Sequence, residues 1–175
     1  MGASGPPARR YLRGIPALIL VTVGTQLPFD RLIQAVDAML DARPGTALFQ
    51  IGNGSYEPRN GRWQRVLAPA EFKAAMTEAD VVVSHAGIGT ILSSRKYGLP
   101  AVLMPRLKTL GEHRNDHQTA TAHSLSHLSG IYVAWNEAEL VTILAETLAP
   151  PSNTADNAPR QKLMATLAAL ISASG

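Results

Sequence analysis

The sequence predicts one α/β domain built on a mostly parallel sheet with helices on both faces. Three observations carry this. Short apolar, β-branched runs alternate with segments of helical period between residues 15 and 149. A length of 175 residues suits one domain with a sizeable core and is short for a two-domain enzyme. Glycine-rich turns follow several of the apolar runs directly, as in Rossmann-like sheets that bind ligands beyond their strand carboxyl ends.

Composition sets the outer bounds. With 46% hydrophobic and 17% charged residues the chain has the make-up of an ordinary globular protein. A net charge of +3, mostly spread out, does not indicate nucleic acid; an anionic lipid or small molecule is equally consistent. The absence of cysteine excludes disulfides, thiolate metal sites and a cysteine nucleophile, and it suits the cytoplasm. The apolar run 15–23 is too short to cross a bilayer and residues 1–13 lack a signal-peptide core, so the chain reads as soluble or peripherally bound.

Residues 1–14, rich in Gly, Pro, Ala and Arg, are expected to form a flexible basic arm. The first strand covers 17–23. Leu32, Ile33, Val36, Met39 and Leu40 then mark one face of a helix that Arg43-Pro44-Gly45 stops. A second strand is expected at 46–51, a polar loop at 52–61, a weaker strand at 62–67 and a short helix at 69–78 that opens with Pro and Glu. The runs 81–84 and 101–104 flank a helix over 89–97, ended by Gly98 and Pro100, which makes a βαβ unit. After a polar stretch at 105–115 come a helix from 116 to about 126, a strand at 131–134 and a helix capped by Asn136, with Glu139 in capping-box position. Residues 150–159 read as a linker, and Leu163, Met164, Leu167, Leu170 and Ile171 as a final amphipathic helix. The resulting division is an arm at 1–14, a binding domain at 15–149, and a linker with terminal helix at 150–175.

Four loops lie where a parallel sheet binds ligands. In the first, Gly24 permits close approach or a positive φ, and Thr25 offers a hydroxyl and an N–H at a helix start; a tight turn with a capping threonine explains the same residues. In the second, His85-Ala86-Gly87-Ile88-Gly89-Thr90, small residues leave backbone N–H groups free to converge on an anion. No lysine follows these glycines, so this is not a Walker loop, nor does it match the usual dinucleotide fingerprint. His85 either donates to a phosphate or orients the turn, and Ser93, one turn into the helix, either reaches a ribose or faces solvent. The third loop, 105–118, gathers Arg106, Glu112, His113, Asn115, His117 and Gln118, a density of donors and acceptors that suits a polyhydroxylated ligand. Glu112-His113 and Asp116-His117 also read as acid/base or metal pairs, but adjacent side chains at such a junction diverge. The fourth, 52–61, is explained equally well as a mobile surface loop.

Taken together, Val21-Thr22-Val23-Gly24-Thr25, the turn Ser84 through Thr90, and Gly111-Glu112-His113-Arg114-Asn115-Asp116-His117-Gln118 resemble the family 28 glycosyltransferase C-terminal domain over residues 15–149. The short form is similar to donor-binding subunits of two-piece transferases. These include the eukaryotic pair acting on dolichol-linked N-acetylglucosamine and, closer in the Gly-Glu-His-x-Asn-Asp-His-Gln run, bacterial exopolysaccharide and capsule subunits.

The resemblance implies the C-terminal half of a GT-B enzyme. It would use a UDP-sugar without metal or other cofactor and transfer the sugar with inversion to a polyprenyl-diphosphate-linked saccharide. It further implies a membrane-associated partner subunit that binds the acceptor and recruits the chain to the inner face of the cytoplasmic membrane. Gly24, Thr25 and the turn from His85 to Thr90 would face the diphosphate, while Asn115, His117 and Gln118 would contact the sugar. Ser93 stands where many relatives have a ribose-binding Glu. Arg106, Lys108, His113 and Arg114 would pair with a carboxylate, which favours glucuronate over a neutral hexose such as galactose, with N-acetylglucosamine the other alternative; phosphate or lipid headgroups would use the same charges. No general base is evident, and it is expected on the partner. The competing readings are a non-catalytic nucleotide-sugar-binding subunit and a lone epimerase or hydrolase, the latter lacking an acid/base set or cofactor fingerprint.

Overall fold

The computed structural model describes residues 10–12, 14–42, 46–114, 117–152 and 165. Six strands, β3 (Leu18–Thr22), β4 (Thr46–Gln50), β5 (Arg62–Gln64), β6 (Val81–Ser84), β7 (Ala101–Leu103) and β8 (Ile131–Val133), form one sheet in the order β5-β4-β3-β6-β7-β8. Every neighbouring pair is parallel. The chain steps outward from β3 through β4 to β5, then returns to β6 and steps the other way. A crevice therefore opens between β3 and β6, where connections leave in opposite directions. The register levels the strand ends: Thr22 lies opposite both Gln50 and Ser84, which sets a row of polar residues along that edge.

Alternation along the strands divides the core in two. Ile19, Val21, Val81, Val83 and Val102 pack with Leu32, Ile33 and Val36 of α1 (Asp30–Ala42) and Leu140 and Leu144 of α5 (Glu137–Leu144). Leu20, Val82 and Leu103 turn to the other side. There they meet Met76 of α2 (Pro69–Glu78), Ile91 of α3 (Ile88–Lys96), and Ala122 and Leu125 of α4 (His117–Leu125). Each such fully buried aliphatic side chain contributes roughly 1.5–3 kcal/mol. The sheet is covered on both faces, as the apolar runs require.

Most elements fall within a residue or two of the sequence expectation; the expected 62–67 strand ends at Gln64, and three further features differ. Within the expected arm, β1 (Tyr11–Leu12) pairs antiparallel with β2 (Ile15–Pro16) through a turn where Gly14 has φ 84°. The buried Asp80 carboxylate accepts from the Arg10 and Leu18 N–H groups, both at 2.9 Å, which ties this turn to the sheet. Structure thus begins before residue 15, and residues 1–9 lie outside the described residues. At α5 the Asn136 side chain accepts from the Glu139 N–H at 2.8 Å, but the Glu139 carboxylate reaches one residue further, to the Trp135 N–H at 2.9 Å. Third, the 52–61 loop is pinned. Asp37, on the core side of α1 and only 2% exposed, accepts from the Tyr56 hydroxyl at 2.6 Å and the Asn60 N–H at 2.7 Å. Burial alone would raise this carboxyl's pKa; the hydrogen bonds from Tyr56, Asn60 and Arg59 outweigh it and hold the value below the ordinary one. The expected final helix lies outside the described residues apart from Ala165, which is helical.

Candidate functional site

A cleft of about 660 Å³ opens at the crevice between β3 and β6. Thr22 and Gln50 lie at its floor, where the Thr22 hydroxyl donates to Gln50 Oε1 at 2.8 Å. The loop after β3 forms one wall with Gly24, Thr25, Gln26 and Leu27. The start of α3 forms the second with Gly87, Ile88, Gly89, Thr90 and Ser93, and Arg106, His113 and Gln118 form the third. Leu67, Pro69 and Phe72, leading into α2, make an apolar side. A second hollow of about 600 Å³ lies against edge strand β5 and α2; no glycine turn of the β3–β6 crevice reaches it.

His85 explains why the two turns need glycine. A Cβ on Gly24, which has φ 74°, would come within 2.9 Å of His85 Cε1. One on Gly87 would collide with His85 Nε2. The imidazole is packed between the turns and hydrogen-bonds the Thr22 backbone. Burial above all, then the Arg106 charge, pushes its pKa down to about 4 from an ordinary 6.5. At neutral pH it is uncharged, so it orients the turn rather than adding a cation to the cleft.

The depressed pKa has a sign. The neutral ring is favoured by folding, so its contribution is complete above pH 6.5 and is lost as pH falls through the window down to about 4. Urea midpoints measured from pH 7 to pH 4 should fall by the equivalent of up to about 3 kcal/mol. In His85→Gln this part of the acid loss should disappear.

Beside His85, the Gly87 N-cap of α3 carries no side-chain cap bond, and it sits in extended backbone at φ −94°, ψ 135°. The first-turn N–H groups of Ile88, Gly89 and Thr90 therefore meet the cleft without a capping side chain, at the positive end of the helix dipole. Thr90 is anchored by its hydroxyl, 3.1 Å from Ser84 Oγ. Among the described residues no carboxylate lines the cleft. This arrangement favours an anion such as a phosphate.

Two of the expected contact residues in and beside the third wall have partners within the protein: Arg106 lines the cleft, while Glu112 does not. Arg106 is 3% exposed and donates through Nη2 to the Val23 and Leu27 carbonyls at 2.8 and 2.7 Å. It holds the 24–28 loop in shape by satisfying the buried Val23 carbonyl and the half-buried Leu27 carbonyl. Burial lowers its pKa to about 10, so it stays charged at neutral pH. Glu112, expected at the donor, turns instead to Arg31, with Oε1 and Oε2 accepting at 2.6 and 2.8 Å, and Oε2 also accepts from the Leu107 N–H at 2.9 Å. His113 and Gln118 do reach the cleft, and Gln118 Oε1 accepts from the Arg106 N–H at 3.1 Å. Ala86, 3% exposed, packs in the core beneath the turn. Asn115 and the His117 side chain lie outside the described residues. Lys108 and Arg114 are exposed.

Sequence reasoning missed Gln50, Arg31 and the apolar side. A buried glutamine ending an otherwise apolar strand was a readable sign for Gln50. Leu67, Pro69 and Phe72 look like ordinary helix-entry residues until the fold brings them beside the glycine turns.

A family model described as glycosyltransferase family 28 C-terminal domain matches residues 18–171. A UDP-N-acetylglucosamine–N-acetylmuramyl-(pentapeptide) pyrophosphoryl-undecaprenol N-acetylglucosamine transferase of Thermus thermophilus is 30% identical over 123 residues, 68% of this chain and 35% of its own length. The UDP-N-acetylglucosamine transferase subunit ALG13 of Yarrowia lipolytica is 28% identical over 113 residues, 55% of this chain and 56% of its own. The chain thus spans about a third of the first of these curated relatives and just over half of the second. Among solved structures, the glycotransferase of kitacinnamycin superposes with a TM-score of 0.57 at 22% identity, covering 95% of this chain and 42% of that one. MurG of Acinetobacter baumannii gives 0.52 at 23% identity, covering 74% and 39%. The fold is that of one half of a GT-B glycosyltransferase.

Proposed function

The chain belongs to the glycosyltransferase family 28 C-terminal domain family, and on that premise we propose that it is the donor-binding part of a glycosyltransferase that uses a UDP-sugar. The observation that carries this reading is the uncapped start of α3 facing Gly24 and Thr25 across a cleft that, among the described residues, no carboxylate lines. The diphosphate sits on the N–H groups of Ile88, Gly89 and Thr90, the uracil lies against Leu67, Pro69 and Phe72, and the sugar meets His113 and Gln118, with Asn115 and His117 close by in sequence. As the sugar–phosphate bond breaks, charge gathers on the leaving UDP, and oriented N–H dipoles stabilise it without reorganising. In this reading the helix terminus meets the diphosphate charge and no metal is used.

The donor we favour is UDP-N-acetylglucosamine, the sugar nucleotide in the names of both curated relatives. Of the cations that would favour glucuronate, Arg106 lines the cleft with its guanidinium already engaged by backbone carbonyls, and Lys108 and Arg114 are exposed. The acceptor is a polyprenyl-diphosphate-linked saccharide, consistent with the pyrophosphoryl-undecaprenol acceptor named for the bacterial relative. Among the described residues no helix is long and apolar enough to cross a membrane. Acceptor binding, membrane recruitment and the general base are assigned to a second, membrane-associated subunit.

Titration calorimetry checks the reading. Folded protein should bind UDP and UDP-N-acetylglucosamine, and transfer to a lipid-diphosphate acceptor should rise sharply when the partner is added. Absence of any uridine-nucleotide binding, with or without the partner, would refute it.

A further inference from the structure

Arg31 lies in the first turn of α1 and does not line the cleft. Its Nε and Nη2 grip the Glu112 carboxylate at 2.6 and 2.8 Å, Nη2 also donates to the Pro105 carbonyl at 3.3 Å, and Nη1 stands 3.7 Å from the Glu137 carboxylate at the start of α5. The Arg31 and Glu112 side chains are 16% and 13% exposed, so solvent screens the pair only weakly. Through Leu107 N–H to Glu112 Oε2, the same carboxylate closes the 105–112 loop on itself.

A second guanidinium completes the arrangement. Arg31 lies over the Phe29 ring at 5.3 Å and Arg106 over it at 5.0 Å, with Phe29 1% exposed. Arg106 shapes the loop after β3 through its side chain and anchors Gln118 through its N–H. The two loops are thus held to one buried ring by two cations, each bonded to a different loop.

We infer that Arg31 is a positioning residue for the sugar end of the donor site: through its fork on Glu112 it sets the 105–113 loop, and with it His113, against the phosphate-binding turns. This rests on the donor reading above. Arg31 touches neither the glycine turns nor the apolar side, so it acts on the sugar and leaves the nucleotide alone. The planar fork matters more than the charge, because a lysine ammonium cannot engage both carboxylate oxygens and the Pro105 carbonyl together.

The test compares UDP with UDP-N-acetylglucosamine by calorimetry on wild type, Arg31→Ala, Arg31→Lys and Glu112→Gln, alongside amide hydrogen exchange of the unliganded proteins. Losing one or two sugar hydrogen bonds should cut affinity for the UDP-sugar about tenfold in all three variants, with UDP changed by less than about twofold. Exchange should quicken at residues 105–114 and stay unchanged in α3. Equal losses for UDP and UDP-sugar, or an unaltered preference for the sugar, overturn the inference. If Arg31→Ala does not fold, Glu112→Gln, which keeps the shape of the side chain, decides. Wild type that binds no uridine nucleotide refutes the donor reading itself; unchanged exchange at 105–114 in the variants then separately overturns the clamp.

Discussion

Gly87→Ala should lower UDP affinity by about a hundredfold while the protein stays folded. Gly87 has an ordinary φ of −94°, so alanine costs little in backbone strain. The penalty is steric. The new Cβ meets His85 Nε2, and the imidazole has no retreat, because Gly24 closes its other side so tightly that even a Cβ there would lie 2.9 Å from the ring. Either the ring leaves its slot or the start of α3 shifts, and both spoil the convergence of N–H groups on the diphosphate. Charge-assisted hydrogen bonds of this kind contribute roughly 1.5–3 kcal/mol each, so losing one or two gives about that factor. The cause can be isolated: His85→Ala/Gly87→Ala removes the collision and should bind UDP better than Gly87→Ala alone. A double variant no better than the single one would mean that the ring does not set the turn.

Arg106→Met should produce the largest loss of stability, about 3–5 kcal/mol in urea unfolding, together with a marked drop in UDP affinity. Methionine matches much of the length but leaves the buried Val23 carbonyl and the half-buried Leu27 carbonyl without their donor. Without Nη2 the loop carrying Gly24 and Thr25 has no reason to keep its curl. Arg106→Lys should recover only part of the loss, since one ammonium cannot reproduce the geometry that also brings Nε to the Pro28 carbonyl at 3.4 Å. In Arg106→Met the His85 pKa should rise above about 4 yet remain below its ordinary value, because burial, the larger cause, stays. A titration of His85 followed by nuclear magnetic resonance reads this directly. An unchanged value would show that Arg106 does not act on the ring.

Much of this was legible in the chain. Alternating apolar runs and helical stripes placed the sheet elements to within a residue or two, apart from the expected 62–67 strand, which ends at Gln64, because strand and helix periods impose burial patterns that survive in sequence. The 69–78 helix was readable from Pro69 and Glu71, which suit a first turn whatever surrounds it. The anion site was legible for the same reason: glycines directly after a strand and before a helix need only local geometry to expose N–H groups. The 52–61 loop was not. Its order depends on Asp37, which looks like one polar residue on an apolar stripe until Tyr56, Arg59 and Asn60 are brought to it by the return of the chain.

What the sequence by itself determined is the order of the elements, the two glycine turns and membership of the family, all carried by residues that are neighbours in the chain. Only the tertiary structure decided what the charged residues do. Arg106 and Glu112 looked like ligand contacts because they sit in a loop dense in polar groups. Their partners, the Val23 carbonyl and Arg31, lie 83 and 81 residues away in the chain and meet them only when β3, α1 and β7 assemble. A guanidinium or carboxylate binds whichever complementary group the fold leaves buried within reach. Here those groups were a backbone carbonyl and another side chain, so Arg106 braces the wall it lines and Glu112 is drawn away from the cleft to Arg31.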